Sequence, residues 1–118
     1  MKTLVIGASE NSSRYSNMAV KSLVRHQHEV IALGKTKGQI DGIQILNGQP
    51  VMDAIDTVTL YLNPAHQVPL YDYILNLKPR RIIFNPGTEN PDLAAKAKDA
   101  GIEVTEACTL VMLSIGAY

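Results

Sequence analysis

Short, unbroken apolar runs alternate along this chain with stretches in which apolar residues recur every three or four positions. Thr3 to Ile6 (TLVI) is rich in β-branched residues and stopped by Gly7, which predicts a strand buried on both faces. Met18, Ala19, Val20, Leu23 and Val24 then have helical spacing and predict an amphipathic helix over about 16–26. Glu29 to Leu33 (EVIAL) reads as a second buried strand. Residues 34–50, with four glycines and Pro50, read as loop, with a short extended piece at Ile43 to Leu46.

The second half repeats the alternation. Thr57 to Leu62 (TVTLYL) predicts a strand stopped by Asn63-Pro64, and Val68 to Leu77 a helix ending near Lys78-Pro79. Arg81 to Phe84 (RIIF) predicts a strand, stopped by Asn85-Pro86-Gly87. Asn90-Pro91-Asp92 is a helix start: an Asn cap, proline at the first helical position and an acid in the first turn. That helix runs to Gly101, a good C-terminal stop, before a last strand at Ile102 to Thr105 and a helix at Ala107 to Ile115.

Strands alternating with helices imply a parallel sheet with right-handed crossovers and helices on both faces. The expected fold is therefore α/β: a three-layer, doubly wound, Rossmann-like domain with a parallel sheet of about five strands, filling residues 1–118 as one unit. Ligands of such sheets sit outside the carboxyl ends of the strands, where strand order reverses. Segments 7–14, 34–38, 63–67, 85–90 and 106–108 are the ones that could build a site.

Composition narrows the setting. Of 118 residues, 46% are apolar and 19% charged, the balance of a globular domain. No apolar run is long enough to span a membrane, and the N-terminal residues lack the apolar stretch of a secretory signal. A lone cysteine, Cys108, fits a reducing cytoplasm. Net charge is zero, which gives no field for nucleic acid or an anionic membrane, and neither is expected as a partner. Cations do gather early: Lys2, Arg14, Lys21, Arg25, Lys35 and Lys37 face only Glu10 and Glu29 within residues 1–40.

The loop Gly7 to Arg14 carries the clearest chemistry. A glycine after the first strand lets backbone approach a ligand, and the next helix N-terminus offers free N–H groups to an anion. Ser9, Ser12, Ser13 and Ser16 add hydroxyls, and Arg14 can grip a phosphate with two N–H groups. The loop is neither a G-x-G-x-x-G fingerprint nor a G-x-x-x-x-G-K-[ST] loop, since the next glycine after Gly7 is Gly34. Strand two ends in Gly34-Lys35-Thr36-Lys37, where NAD-binding domains place an acid for the ribose hydroxyls. A cation there suits a ribose bearing an extra phosphate, as in coenzyme A or NADP. Asn63-Pro64 and Asn85-Pro86-Gly87 turn the chain at the same edge, with amides able to bond a base, ribose or pantetheine-like amide.

Other polar residues read as ordinary structure. Cys108 reads as a small buried hydrophobe, His66 as loop surface, and His26 and His28 lie at the edge away from these loops. No His, Cys or carboxylate pair has metal-ligand spacing, and no nucleophile sits in a motif with its base. No catalytic residue and no metal are expected.

Taken in order, Val5-Ile6-Gly7-Ala8-Ser9, Arg14-Tyr15-Ser16, Asp56-Thr57-Val58, Ile83 to Asn90, Ala100 to Val104 and Ala107-Cys108-Thr109 carry a resemblance. The chain resembles the small stand-alone CoA-binding domain family, relatives of the N-terminal domain of the succinyl-CoA synthetase α-subunit. The resemblance implies that Gly7, Ala8, Ser9, Arg14 and Ser16 hold the CoA diphosphate and that Lys35 serves the 3′-phosphate region. It implies that Asn63 and Pro64 line the adenosine side and that Asn85, Pro86 and Gly87 lie near the pantetheine arm. Many members have Asn-Pro where this chain has Gly34-Lys35, and an Arg or similar polar residue near Leu62-Asn63. The synthetase chemistry does not carry over, because its phosphorylated histidine belongs to another domain.

The expected function is binding of coenzyme A or an acyl-CoA without catalysis. An NADP-dependent enzyme or sensor is one alternative. The other is a regulatory or interaction subunit with a degenerate site, whose apolar C-terminal helix packs on a protein partner or a second copy.

Overall fold

The computed structural model describes residues 2–118. Its strands are β1 (Lys2–Ile6), β2 (Glu29–Leu33), β3 (Gly38–Ile40), β4 (Ile43–Leu46), β5 (Thr57–Leu60), β6 (Arg81–Phe84) and β7 (Glu103–Glu106). Its helices are α1 (Tyr15–Arg25), α2 (Pro64–Gln67), α3 (Tyr71–Asn76), α4 (Pro91–Asp99) and α5 (Thr109–Ser114), with a 3₁₀ turn at Val68–Leu70 between α2 and α3.

The strands form one seven-stranded sheet in the order β3-β4-β2-β1-β5-β6-β7. Neighbours are parallel except β3 and β4. The layers and the winding agree with the expected Rossmann-like α/β fold, and the sheet is wider by the β3–β4 pair. The reason is local. Ile40-Asp41-Gly42-Ile43 closes a two-residue hairpin with Ile40 opposite Ile43, and both turn residues have positive φ, 48° at Asp41 and 83° at Gly42. Asp-Gly is the pair that adopts this mirror-image turn at low cost, so the hairpin signal was present within a segment read as loop.

Apolar runs become strands covered on both sides. Leu4, Ile6, Val58, Leu60, Ile82 and Phe84 pack with Ile74 of α3 and Leu93 and Ala97 of α4 on one face. Val5, Val30, Ala32 and Ile45 pack with Val20 and Leu23 of α1 and Leu113 of α5 on the other. This explains the lack of alternation in β1, β5 and β6: each residue of β5 and β6 is buried. Asn90 caps α4 as expected, accepting from Leu93 N–H at 3.2 Å. Asn63 does the same for α2, accepting from His66 N–H at 3.2 Å. The second helical segment therefore starts at Pro64, before the expected Val68, with the cap-and-proline signature recognised at Asn90-Pro91. No helix among the described residues is long and apolar enough to cross a membrane.

Candidate functional site

Strand order reverses at β1, with β2 on one side and β5 on the other, and a cleft of about 870 Å³ opens over the carboxyl ends of these three strands. That volume lies in the range of small-molecule sites. Ile6 to Glu10 form its middle, Leu33 to Lys37 with Asn47 to Gln49 one wall, and Tyr61 to Asn63 with His66, Pro69 and Leu70 the other.

The loop after β1 is held from two sides. Gly7 N–H and Ala8 N–H both donate to Leu33 C=O, at 2.8 and 3.0 Å, so these two amides are used within the protein. Gly7 has φ +97°, and a Cβ there would lie 3.0 Å from the carbonyl carbon of Tyr61. Its glycine is required by the backbone of the neighbouring strand, where the sequence suggested approach of a ligand. Asn17 anchors the next turn by donating from Nδ2 to Ser9 C=O at 2.9 Å. Asn11 N–H takes Ser9 Oγ and Ser13 N–H takes Asn11 Oδ1, which folds the serine-rich stretch back on itself.

What remains open in this loop is suited to an anion. The N–H groups of Ser9, Glu10 and Ser12, and of Tyr15 and Ser16 in the first turn of α1, have no protein acceptor among the described residues. Arg14, at the N-cap position of α1, makes no side-chain capping bond and lines the cleft, exposed. Lys35 and Lys37, also exposed, line the β2 wall. The charged residues of the cleft are thus Arg14, Lys35 and Lys37 against Glu10. Of the six early cations, Arg14, Lys35 and Lys37 meet in this cleft, while Lys2 pairs with Glu29 and Asp53.

Gly7, Ala8, Ser9, Arg14, Lys35 and Asn63 of the expected site all line this one cleft. Ser16 is buried and contributes no lining atom, and Pro64 is exposed in the first turn of α2. Asn85, Pro86 and Gly87, expected near the pantetheine arm, do not line the cleft. Asn85 is 1% exposed and its amide is fully engaged inside the molecule. Nδ2 donates to Thr59 Oγ1 at 2.7 Å and Leu60 C=O at 2.8 Å, and Oδ1 accepts from Thr109 N–H at 2.9 Å. A buried polar chain continues from it: Thr88 Oγ1 donates to Asn85 C=O, Gln67 Nε2 to Thr88 C=O and Asn90 Nδ2 to Gln67 Oε1. These bonds tie the loops after β5 and β6 and the start of α5 into one unit.

Several lining residues carried no sequence signal for a ligand. Glu10 lies within the loop after β1, and Asn47, Gly48 and Gln49 reach the cleft through the β3–β4 hairpin. His66, Pro69 and Leu70 reach it through α2 and the 3₁₀ turn. The Asp-Gly turn and the Asn63-Pro64 cap were the signals that could have placed them. Tyr61 borders the cleft with its phenol held above its ordinary pKa by burial, and so stays neutral. Cys108 is half-buried at the N-cap position of α5, outside the cleft lining. Among the described residues no group of three or more His, Cys, Asp or Glu is placed to hold a metal.

Residues 1–114 match the family model described as CoA binding domain. The structure is similar to the crystal structure of an uncharacterized protein at 50% identity, covering 99% of this chain and 97% of that one, with a TM-score of 0.97. A Thermus thermophilus protein is similar in fold at 19% identity and TM-score 0.85, covering 99% of this chain and 90% of that one. So is a hypothetical protein from Pyrococcus horikoshii OT3, at 20% identity and TM-score 0.86, covering 96% and 81%. No curated protein matches the sequence.

Proposed function

We propose that the cleft is a coenzyme A site, because the chain belongs to the CoA binding domain family. On this reading the protein is a binding module for coenzyme A or an acyl-CoA, with no catalysis of its own. The diphosphate lies on the open amides of Ser9 and Glu10, with Arg14 supplying charge-assisted hydrogen bonds. Lys35, with Lys37 beside it, takes the 3′-phosphate. Leu62, Asn63, Pro69 and Leu70 on the opposite wall offer the rest of the ligand an apolar surface with one side-chain amide. The observation that carries the reading is the convergence of Arg14, Lys35 and the loop after β1 on one cleft at the strand-order reversal.

Isothermal titration with coenzyme A, dephospho-CoA, NADP and NAD tests it. Coenzyme A binds more tightly than dephospho-CoA by about tenfold, the worth of one charge-assisted contact. Lys35→Ala erases that difference. The two lysines would also accept the 2′-phosphate of NADP, so tighter binding of NADP than of coenzyme A overturns the proposal in favour of a redox function. Absence of coenzyme A binding below millimolar overturns it outright.

A further inference from the structure

Glu10 presents a puzzle: it places a carboxylate among the cations of a cleft suited to anions. Its Oε2 accepts a hydrogen bond from Gln39 N–H at 2.9 Å, which ties the loop after β1 to the first strand of the β3–β4 hairpin. Gly38 makes room for this crossing. A Cβ at Gly38 would lie 2.2 Å from Cδ and 2.5 Å from Cγ of Glu10, so the glutamate side chain lies directly over this glycine.

A second tie reaches the same segment from the other end of the hairpin. Asn47, just past β4, donates from Nδ2 to Gly34 C=O at 3.1 Å and to Lys35 C=O at 3.0 Å. Gly34 N–H in turn donates to Leu46 C=O at 2.9 Å. Segment 34–39, which carries both lysines, is therefore pinned at Gly34 and Lys35 by Asn47 and at Gln39 by Glu10. Lys35, Thr36 and Lys37 between the pins are exposed. Without the pins, a short exposed stretch beside an edge hairpin would pay conformational entropy to present its cations to a ligand.

We infer that Glu10 and Asn47 are positioning residues that hold the Lys35–Lys37 turn in place, so that the site distinguishes a ligand with a phosphomonoester beyond its diphosphate from one without. The inference rests on the coenzyme A reading. It assigns the glutamate to the hairpin and the lysines to the ligand.

The test compares Asn47→Ala, Glu10→Ala and Glu10→Gln with the wild-type chain, using coenzyme A and dephospho-CoA as ligands. Asn47→Ala and Glu10→Ala lower the coenzyme A to dephospho-CoA affinity ratio by about three- to tenfold, the worth of one or two ordered hydrogen bonds. Glu10→Gln keeps an oxygen that accepts from Gln39 N–H, and it retains the ratio. Loss of the Glu10 charge alone would raise affinity for both ligands and leave the ratio unmoved. Hydrogen–deuterium exchange of the ligand-free protein gives a readout free of the ligand assignment: exchange over residues 34–40 rises in the two alanine variants and not in Glu10→Gln. Unchanged exchange and an unchanged ratio overturn the inference. A wild-type chain that binds the two ligands alike while exchange still rises overturns instead the assignment of Lys35 to a phosphate.

Discussion

The side-chain amide of Asn85 donates to the hydroxyl of Thr59 at 2.7 Å, in the interior of the protein. With Leu60 C=O and Thr109 N–H also satisfied by this amide, it joins β5, the end of β6 and the start of α5. Replacing Asn85 with alanine leaves buried partners unpaired, each at about 1–3 kcal/mol. Asn85→Ala is expected to lower stability by about 2–4 kcal/mol, read as a shifted urea midpoint. The folded fraction binds coenzyme A within about twofold of wild type, since a change below ~0.5 kcal/mol is typical away from the contact.

Arg14 should behave in the opposite way. It is exposed and lines the cleft, so Arg14→Ala leaves the melting temperature nearly unchanged. Affinity falls by about tenfold for coenzyme A and dephospho-CoA alike, because both carry the diphosphate. Calorimetry on the two ligands separates this pattern from that of Lys35→Ala, which affects coenzyme A alone.

Gly34 holds the β2 wall close to the loop after β1. A Cβ there would stand 2.3 Å from Ala8 C=O, a backbone atom that cannot swing aside, and 3.0 Å from Ile45 Cγ2. Gly34→Ala must push the two loops apart, at about 1–3 kcal/mol. Both melting temperature and coenzyme A affinity are expected to fall. A variant that melts and binds like wild type would refute the close approach.

At the amino ends of β5 and β6, Arg80 makes a bidentate pair with Asp56, Nε to Oδ1 at 2.9 Å and Nη2 to Oδ2 at 3.1 Å. The Arg80 hydrogen bond holds the Asp56 carboxyl below its usual pKa. A carboxyl that titrates lower in the folded than in the unfolded chain stabilises the protein above its unfolded value, about 4, and this is lost as pH falls through the folded value. Arg80 is half exposed, so the pair is worth about 0.5–1 kcal/mol at pH 7 after screening. The urea midpoint of Asp56→Asn is expected below wild type at pH 7, with the gap narrowing as pH falls below about 4.

The sequence by itself determined the alternation of strands and helices, the parallel sheet and the location of the loop after β1. Runs such as Arg81 to Phe84 have apolar residues on both faces, and only a strand covered on two sides needs that. Capping chemistry is equally local, which is why Asn90-Pro91 could be read and why Asn63-Pro64 could have been. The direction in which a polar side chain points is a different matter. Asn63-Pro64 and Asn85-Pro86 look alike along the chain. Asn63 lies on the cleft, while Asn85 turns inward because Thr59, Leu60 and Thr109, 24 to 26 residues away, supply its partners. The Asp-Gly turn is local, but the attachment of the β3–β4 hairpin to the sheet was settled by pairing to β2, through Ala32 with Ile45 and Leu33 with Leu46. Tertiary structure decided which of the loop residues share one cleft, because hydrogen-bond satisfaction inside the protein is fixed by distant neighbours. For the loop after β1 it also decided which amides are spent on Leu33 and which are left without a protein acceptor.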